Sequence, residues 1–313
     1  MTGMGGYELR LVGLVKSSCD LVVMLIVSAT NIALWFLLHR RFRQWSPRAR
    51  RGILRVEILV LLCAAYVFGC AFRSVLPRAD VQRISLFDTW LSSVLVGRSV
   101  ATIAELCFVL QWAIVLHQLA HMAKADTARN IAKVIVPLIL LAELCSWYAV
   151  ITTNYLGNTF ENSLWAVTFL LIAAALLRLM NDFRGPVRLA LGLAVAGITV
   201  YLVFLMRIDV PMYFARWQAD AANGKELFGV LAGLHDLGTR WTVTHDIAQW
   251  KDEIAWMSLY FSLAVWSSLA LGGFGLVKHR LPQYRLRPAS ASMVSRRPGP
   301  PVARESRPAP RTH

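Results

Sequence analysis

Apolar residues in this chain fall into long blocks that are separated by short polar connections. A bilayer core about 30 Å thick needs roughly 20 apolar residues in an α-helix, and seven of the blocks reach that length. The pattern predicts an all-α polytopic membrane protein, a bundle of seven transmembrane helices. The predicted spans are 17–38, 53–72, 89–121, 131–153, 162–180, 187–206 and 254–277.

The polar connections divide the chain into a seven-helix membrane domain, 1–277, and a terminal tail, 278–313. The one long connection is 207–253, and part of it has apolar residues at helical spacing. These residues are Leu227, Val230, Leu231 and Leu234. We therefore predict a partly helical loop with an amphipathic helix on the membrane surface. The tail is rich in Pro and Arg and has little to bury, so we expect it to be disordered.

Charge supports the membrane interpretation and gives it a direction. Hydrophobic residues make up 57% of the chain and charged residues only 16%, well below a typical soluble domain. Of the 33 lysines and arginines, 22 lie on one side, in 39–55, 122–133, 178–188 and the tail, and 10 lie on the other side. Basic loops stay in the cytoplasm, so we predict an N-terminus outside and a C-terminus inside.

The net charge of +15 also raises the question of nucleic acid as a partner. Nucleic-acid binders concentrate basic residues on a folded face, whereas here they lie in short loops and a tail. We therefore predict no nucleic-acid partner, and membrane lipids as the partners of the chain, with the tail near anionic headgroups. The first block lacks a basic region and a cleavage motif, so we expect it to remain as a helix. The expected location is the cytoplasmic membrane of a bacterium.

Three acidic residues fall clearly within predicted spans: Glu57, Glu105 and Glu143. Asp20 stands at the start of the first span. A charge at the bilayer centre costs about 2.5–3.5 kcal/mol on insertion scales, so such residues usually have partners inside the bundle. Arg98 and Glu105 share one stripe of the third span, and the antiparallel fourth span brings Glu143 to a similar depth. We predict Glu105 and Glu143 as catalytic or ligand-binding groups. The alternative is a structural ion-pair network with Arg98.

Polar residues continue from these spans toward their outer ends. Asn154 follows the fourth span, and Glu161 and Asn162 stand at the start of the fifth. Together with Arg98, these residues predict a polar cavity that opens to the extracytoplasmic side and binds a small molecule or a lipid.

The long loop offers a second kind of chemistry. It contains Asp209 and two histidines that each precede an aspartate, His235 and His245. An imidazole beside a carboxylate suits proton transfer or metal binding, so these three residues are further catalytic candidates. Ordinary solvated loop residues are the alternative, because the spacing matches no zinc motif.

A third candidate site lies near the cytoplasmic end of the third span. His117 and His121 stand four residues apart, and Glu57 has a similar depth in the second span. Two imidazoles and a carboxylate suit zinc or iron, and a haem would need a second histidine from across the bundle. Histidines at the membrane boundary that cap a tilted helix are the alternative. The five cysteines form no CxxC pair.

Several chemistries are excluded by specific residues. The last predicted span has no lysine for a retinal Schiff base and no paired histidines, and the chain has no Walker A or GxGxxG motif. We therefore expect a membrane protein that binds a ligand or substrate, for sensing, transport or simple binding. The first alternative is a membrane enzyme that acts on a lipid or lipid-linked substrate at the outer leaflet. The second is a redox protein with haem or metal. The residues identify no cofactor and no oligomeric state.

Overall fold

The described part of the chain is built almost entirely from helices. A computed structural model describes residues 4–44, 54–246, 249–250, 257, 260–277, 281 and 283–285. The first six helices are α1 Met4–Arg43, α2 Leu54–Val75, α3 Val94–Ala123, α4 Asp126–Thr152, α5 Tyr155–Met180 and α6 Gly185–Phe204.

Two π-helical turns interrupt the later helices. The first, Leu205–Asp209, joins α6 directly to α7, Val210–Ala222. The second, Tyr260–Ala264, leads into α9, Val265–Val277. Between them lies the short helix α8, Val230–Thr239.

Six segments are long and apolar enough to cross a membrane. They are Val22–Arg43, Glu57–Val75, Val94–Ala123, Asp126–Thr152, Tyr155–Met180 and Gly185–Ala222. A shorter apolar segment, Tyr260–Phe274, lies within the seventh predicted span. The protein is therefore an all-α membrane protein with six candidate membrane-spanning helices in the described part of the chain.

One end of the bundle carries three short strands, and we call it the strand end. β1 Arg78–Ala79 pairs antiparallel with β2 Ile84–Ser85, which pairs in parallel with β3 Thr242–Val243. A 3-10 turn, Trp90–Ser92, then leads into α3. The loops that precede α3 and follow α8 thus meet at the same end of the bundle.

Helix α8 packs closely on the end of α4 at the strand end. A Cβ atom on Gly233 would lie 2.1 Å from the carbonyl oxygen of Ile151, so only glycine allows this approach. The carboxylate of Asp236 accepts a hydrogen bond from Arg83 Nε at 2.8 Å and another from Arg240. Asp236 therefore ties α8 to the β1–β2 connection.

Buried polar side chains join α9 to the first helices of the chain. Gln111 of α3 donates to the carbonyl of Leu59 at 3.0 Å and to that of Ser268 at 3.2 Å. Asn31 of α1 donates to the carbonyl of Phe261 at 2.8 Å. These bonds place α9 against α1, α2 and α3, whereas α6 packs on α5.

The observed helices extend beyond the predicted spans. Helix α5 begins at Tyr155 rather than at 162, because Asn154 caps its first turn and Asn158 donates to Glu161 inside the bundle. Helix α6 continues through the π-helical turn into α7, which ends at Ala222. The predicted loop 207–253 therefore begins about 15 residues too early. Apolar content alone does not mark these ends, because buried partners satisfy the polar residues there.

The predicted disordered tail, 278–313, lies outside the described residues except for 281 and 283–285. Those residues pack on the turn between α5 and α6. The backbone N–H of Arg184 donates to the carbonyl of Tyr284 at 2.8 Å, and Leu281 is buried. These four residues therefore belong to the folded bundle.

Candidate functional site

Four charged side chains from three helices meet inside the bundle. Arg98 Nη2 of α3 donates to Glu143 Oε2 of α4 at 2.8 Å, to Glu105 Oε2 at 3.2 Å and to Glu161 Oε1 of α5 at 3.4 Å. We call this group the Arg98 cluster. Arg98 and Glu105 are seven residues apart, about two helical turns, so they share one face of α3.

Neighbouring side chains hold the carboxylates of the Arg98 cluster in place. Thr102 Oγ1 donates to Glu143 Oε2 at 2.6 Å and accepts from Trp147 Nε1 at 3.1 Å. Tyr260 donates its hydroxyl to Glu105 Oε1 at 3.3 Å, and Asn158 donates to Glu161 Oε2 at 3.1 Å. Tyr260 lies on the π-helical turn before α9, a type of helix distortion that is frequent at functional sites.

The Arg98 cluster is deeply buried and carries more negative than positive groups. Arg98 is 5% exposed and Glu143 is 3% exposed, and Glu105 and Glu161 are also buried. One oxygen from each of the three carboxylates lies within 4.8 Å of the others. Buried charges are costly unless they are paired, and here one guanidinium serves three carboxylates.

A cavity of about 1040 Å³ begins at the Arg98 cluster. Arg98, Glu105, Glu161 and Asn162 line its charged end. Aromatic side chains line the adjacent part: Tyr66, Phe108, Trp165, Phe169, Tyr201 and Tyr260. The rest of the wall is apolar and follows α6 from Phe204 to Pro186, which spans roughly 27 Å at 1.5 Å per residue.

The cavity lies between α6 and α9 and reaches the side of the bundle. Leu193 and Val200 of α6 line the cavity and are also 65% and 61% exposed. On the opposite wall, Trp266 of α9 both lines the cavity and is 51% exposed. The opening therefore faces the surface that lipid would cover rather than either end of the bundle.

A second, much smaller pocket of about 50 Å³ lies toward the strand end. It shares Arg98, Glu161 and Asn162 with the large cavity. Asp80 and Arg73 line its other side. The shared residues therefore separate an apolar cavity from a polar pocket.

Asp80 lies in the β1–β2 connection and lines this polar pocket. Arg78 Nε donates to Asp80 at 2.9 Å, and Arg73 lies 3.9 Å from the same carboxylate. Burial alone would raise the pKa of Asp80, but these two guanidinium groups outweigh it and hold that pKa below its ordinary value. Burial also lowers the pKa of Arg78 to about 10, even though Asp80 opposes this shift.

Of the predicted cavity residues, the structure brings together Arg98, Glu105, Glu143 and Glu161. Asn162 lines the cavity beside them. Asn154 has a structural position instead, because its side chain caps α5 by accepting from Leu156 N at 3.0 Å. The sequence predicts a polar cavity, whereas the observed cavity is polar at one end and apolar along most of its wall.

The predicted loop residues lie apart from this site. His235 and His245 are exposed at the strand end, and neither lines the large cavity. Asp209 is buried in the π-helical turn between α6 and α7 and is not part of the cavity wall. The structure therefore does not place these three residues beside Glu105 and Glu143.

The predicted metal site also has a different arrangement. His117 is half-buried, and His121 and Glu57 are exposed. Within the described part of the chain, the one group of three metal-ligating side chains is Glu105, Glu143 and Glu161. Arg98 Nη2 lies within 3.4 Å of all three, so a guanidinium is the cation that they share.

The aromatic lining and the apolar length of the cavity were not predicted from the sequence. Tyr260 is 155 residues from Glu105, and no periodicity connects them. A weak signal exists in α6, where Ala190, Ala194 and Gly197 place small residues along one side of the helix. Comparison of the chain with known protein families, with curated proteins and with solved structures gives no match.

Proposed function

We propose that this protein binds an amphiphilic ligand inside the membrane. The ligand's apolar part would occupy the cavity between α6 and α9, and its polar end would contact the Arg98 cluster. One observation carries the proposal: a cavity of about 1040 Å³ has apolar and aromatic walls along its length and a cluster of four charged groups at one end. Ligand sites of this size typically combine apolar walls with a few polar groups that fix orientation.

The side opening supports a ligand that arrives from the lipid phase. A water-soluble ligand needs a path from one end of the bundle, whereas this cavity reaches the surface at Leu193, Val200 and Trp266. Its length along α6 is close to the thickness of a bilayer core, about 30 Å. Binding is the step that sensing, transport and lipid chemistry share.

We further propose seven spans, with the N-terminus outside and the C-terminus in the cytoplasm. The apolar segment Tyr260–Phe274 packs beside α1 and α2 and supports a seventh span over 254–277. The excess of basic residues in 39–55 and the tail supports the direction. The strand end and the charged end of the cavity would then face the extracytoplasmic side of a bacterial cytoplasmic membrane.

Photolabelling from within the cavity tests the binding proposal. The probe is a dodecanol that carries a diazirine in its alkyl chain, and the protein is held in nanodiscs of a neutral galactolipid. We expect saturable labelling of cavity-wall peptides that contain Phe169 and Ala194. Excess unlabelled dodecanol should suppress this labelling.

A matched pair of variants on α6 controls the labelling experiment. Gly197 lines the cavity with open space around it, so Gly197→Trp would fill the cavity and abolish saturable labelling. Val203 is exposed on the same helix and does not line the cavity, so Val203→Trp would leave labelling unchanged. Equal labelling in the wild type and in Gly197→Trp would contradict the binding proposal.

A further inference from the structure

The Arg98 cluster holds more carboxylates than its cations can balance. Arg98 is the one guanidinium that contacts all three of Glu105, Glu143 and Glu161. The adjacent ion pairs add two guanidinium groups, Arg73 and Arg78, but also the carboxylate of Asp80. Four carboxyl groups then face three guanidinium groups, so the acidic groups outnumber the cations by one.

Buried polar atoms without a hydrogen-bond partner among the described residues lie in and beside the Arg98 cluster. Glu143 Oε1 and Asn158 Oδ1 are acceptors of this kind, and Arg98 Nε and the two Nη atoms of Arg78 are donors of this kind. Buried polar atoms normally have partners, so these atoms indicate that a polar group from outside the chain approaches here.

Aromatic rings surround the end of the cavity that meets the cluster. The hydroxyl of Tyr260 contacts Glu105, and the ring of Tyr66 lies 5.7 Å from that of Tyr260. Trp165 lies one turn from Glu161 along α5 and stacks on Phe169 at 5.7 Å. Aromatic faces attract cations, and rings combined with carboxylates are the usual surroundings of bound ammonium groups.

From these observations we propose that the ligand is a cationic amphiphile with an ammonium head group, bound between the carboxylates of the Arg98 cluster and the adjacent aromatic rings. The assignment rests on the proposed function, because it names the class of ligand that the same cavity would take. An ammonium group would balance the excess carboxylate, and its alkyl chain would extend along α6. An anionic head group would instead add a negative charge beside Glu105 and Glu161.

Competition against the diazirine probe tests the head group separately from the chain. Dodecyltrimethylammonium, dodecanol and dodecyl sulfate share a chain length and differ in charge. In the wild type we expect dodecyltrimethylammonium to suppress labelling at a concentration roughly tenfold lower than dodecanol, since a charge-assisted contact is worth at least about that factor. Dodecyl sulfate should be the weakest competitor.

Charge-removing variants decide whether the carboxylates cause the preference. Glu143→Gln and Glu105→Gln keep the shape of the side chain, and each should reduce the tenfold preference to about threefold or less. Glu226 is exposed and outside the site, so Glu226→Gln should keep the full preference. Because each variant is compared with the wild type in the same lipid, differences in membrane partitioning between the competitors cancel.

The outcomes separate this inference from the proposed function. Saturable labelling that Gly197→Trp blocks, with equal competition by all three head groups, would overturn the ammonium assignment and leave the binding proposal standing. A preference that persists unchanged in both Gln variants would also overturn it, because the carboxylates would then not be the cause of the preference. If one Gln variant fails to fold, as shown by loss of saturable labelling by the neutral probe, the other variant and Glu161→Gln replace it.

Discussion

Helix α3 carries two buried polar groups that differ in kind. Near its middle, Gln111 is neutral and fully partnered: its amide donates to two backbone carbonyls, and its oxygen accepts from Ser268 Oγ at 2.6 Å. Near the strand end, Arg98 is charged and contacts three carboxylates, of which Glu143 keeps an oxygen that no described donor reaches. Both side chains are buried.

The difference separates buried polar groups that stabilise the fold from those that can bind a ligand. The hydrogen bonds of Gln111 are all made to other protein groups, so they stabilise the packing of α2, α3 and α9. The Arg98 cluster is incomplete in charge and in hydrogen bonds, and it stands at the end of a cavity. A closed network adds stability and an open network leaves interactions for a ligand.

Removal of Arg98 is expected to have the largest effect on the bundle. Arg98→Met leaves three buried carboxylates without their shared cation, and breaking a buried ion pair costs about 3–5 kcal/mol. The free energy of unfolding in detergent micelles, followed by far-ultraviolet circular dichroism, measures this loss. Arg188→Met, on the exposed side of α6, is the control and should change stability by less than about 0.5 kcal/mol. If the free energy of unfolding of Arg98→Met equals that of the wild type, the four groups of the Arg98 cluster are not ionised as described.

Gln111→Leu should have a smaller effect on stability and none on ligand choice. The change leaves the hydroxyl of Ser268 and the carbonyl of Leu59 without their partner, at a cost of about 1–3 kcal/mol. Unfolding in the same micelles measures the loss. Ligand preference in the competition experiment should match that of the wild type, because Gln111 does not line the cavity. A changed head-group preference in Gln111→Leu would mean that Gln111, like the Arg98 cluster, affects ligand binding.

The sequence predicts the charged part of the site because charge inside an apolar block needs a physical reason. Arg98, Glu105 and Glu143 stand out by their cost in a bilayer, and the antiparallel direction of α3 and α4 brings them to one depth. The apolar part of the site has no such signal. Leu193 and Val200 would be apolar whether they faced lipid or a cavity. Only the gap between α6 and α9 in the folded protein shows that they line a cavity.

The histidines show the limit of a pattern that is read on one helix. His117 and His121 have the spacing of metal ligands on a helix, but spacing on one helix does not supply a third ligand from another. Glu57, the predicted third ligand, is exposed on α2. Tyr260 was not predicted as a site residue, although it contacts Glu105, because its position depends on the contacts of α9 rather than on any local pattern.

The smallest expected effect concerns a third polar group, Asp236, which lies outside the spanning segments. Burial alone would raise the pKa of Asp236, but hydrogen bonds from Arg240 and Arg83 outweigh it and hold the pKa below its ordinary value. A carboxyl group with a lowered folded-state pKa stabilises the fold above its ordinary pKa of about 3.9, and this contribution is lost as the pH falls through the folded value.

Asp236→Asn should therefore loosen α8 at neutral pH and remove its sensitivity to acid. Asn cannot form the ion pair with Arg83, so the free energy of local opening of α8 should fall by about 1 kcal/mol at pH 6. Hydrogen–deuterium exchange of residues 230–239, corrected for intrinsic rates, measures the opening. Between pH 6 and pH 3, exchange in the wild type should approach that of the variant, while Glu226→Gln follows the wild type. Acid loosening of equal size in Asp236→Asn would mean that a different group ties α8 to the bundle. Loss of this pair should also leave the ammonium preference unchanged. The carboxylate of Asp236, like the amide of Gln111, is hydrogen-bonded to protein groups and does not line the cavity.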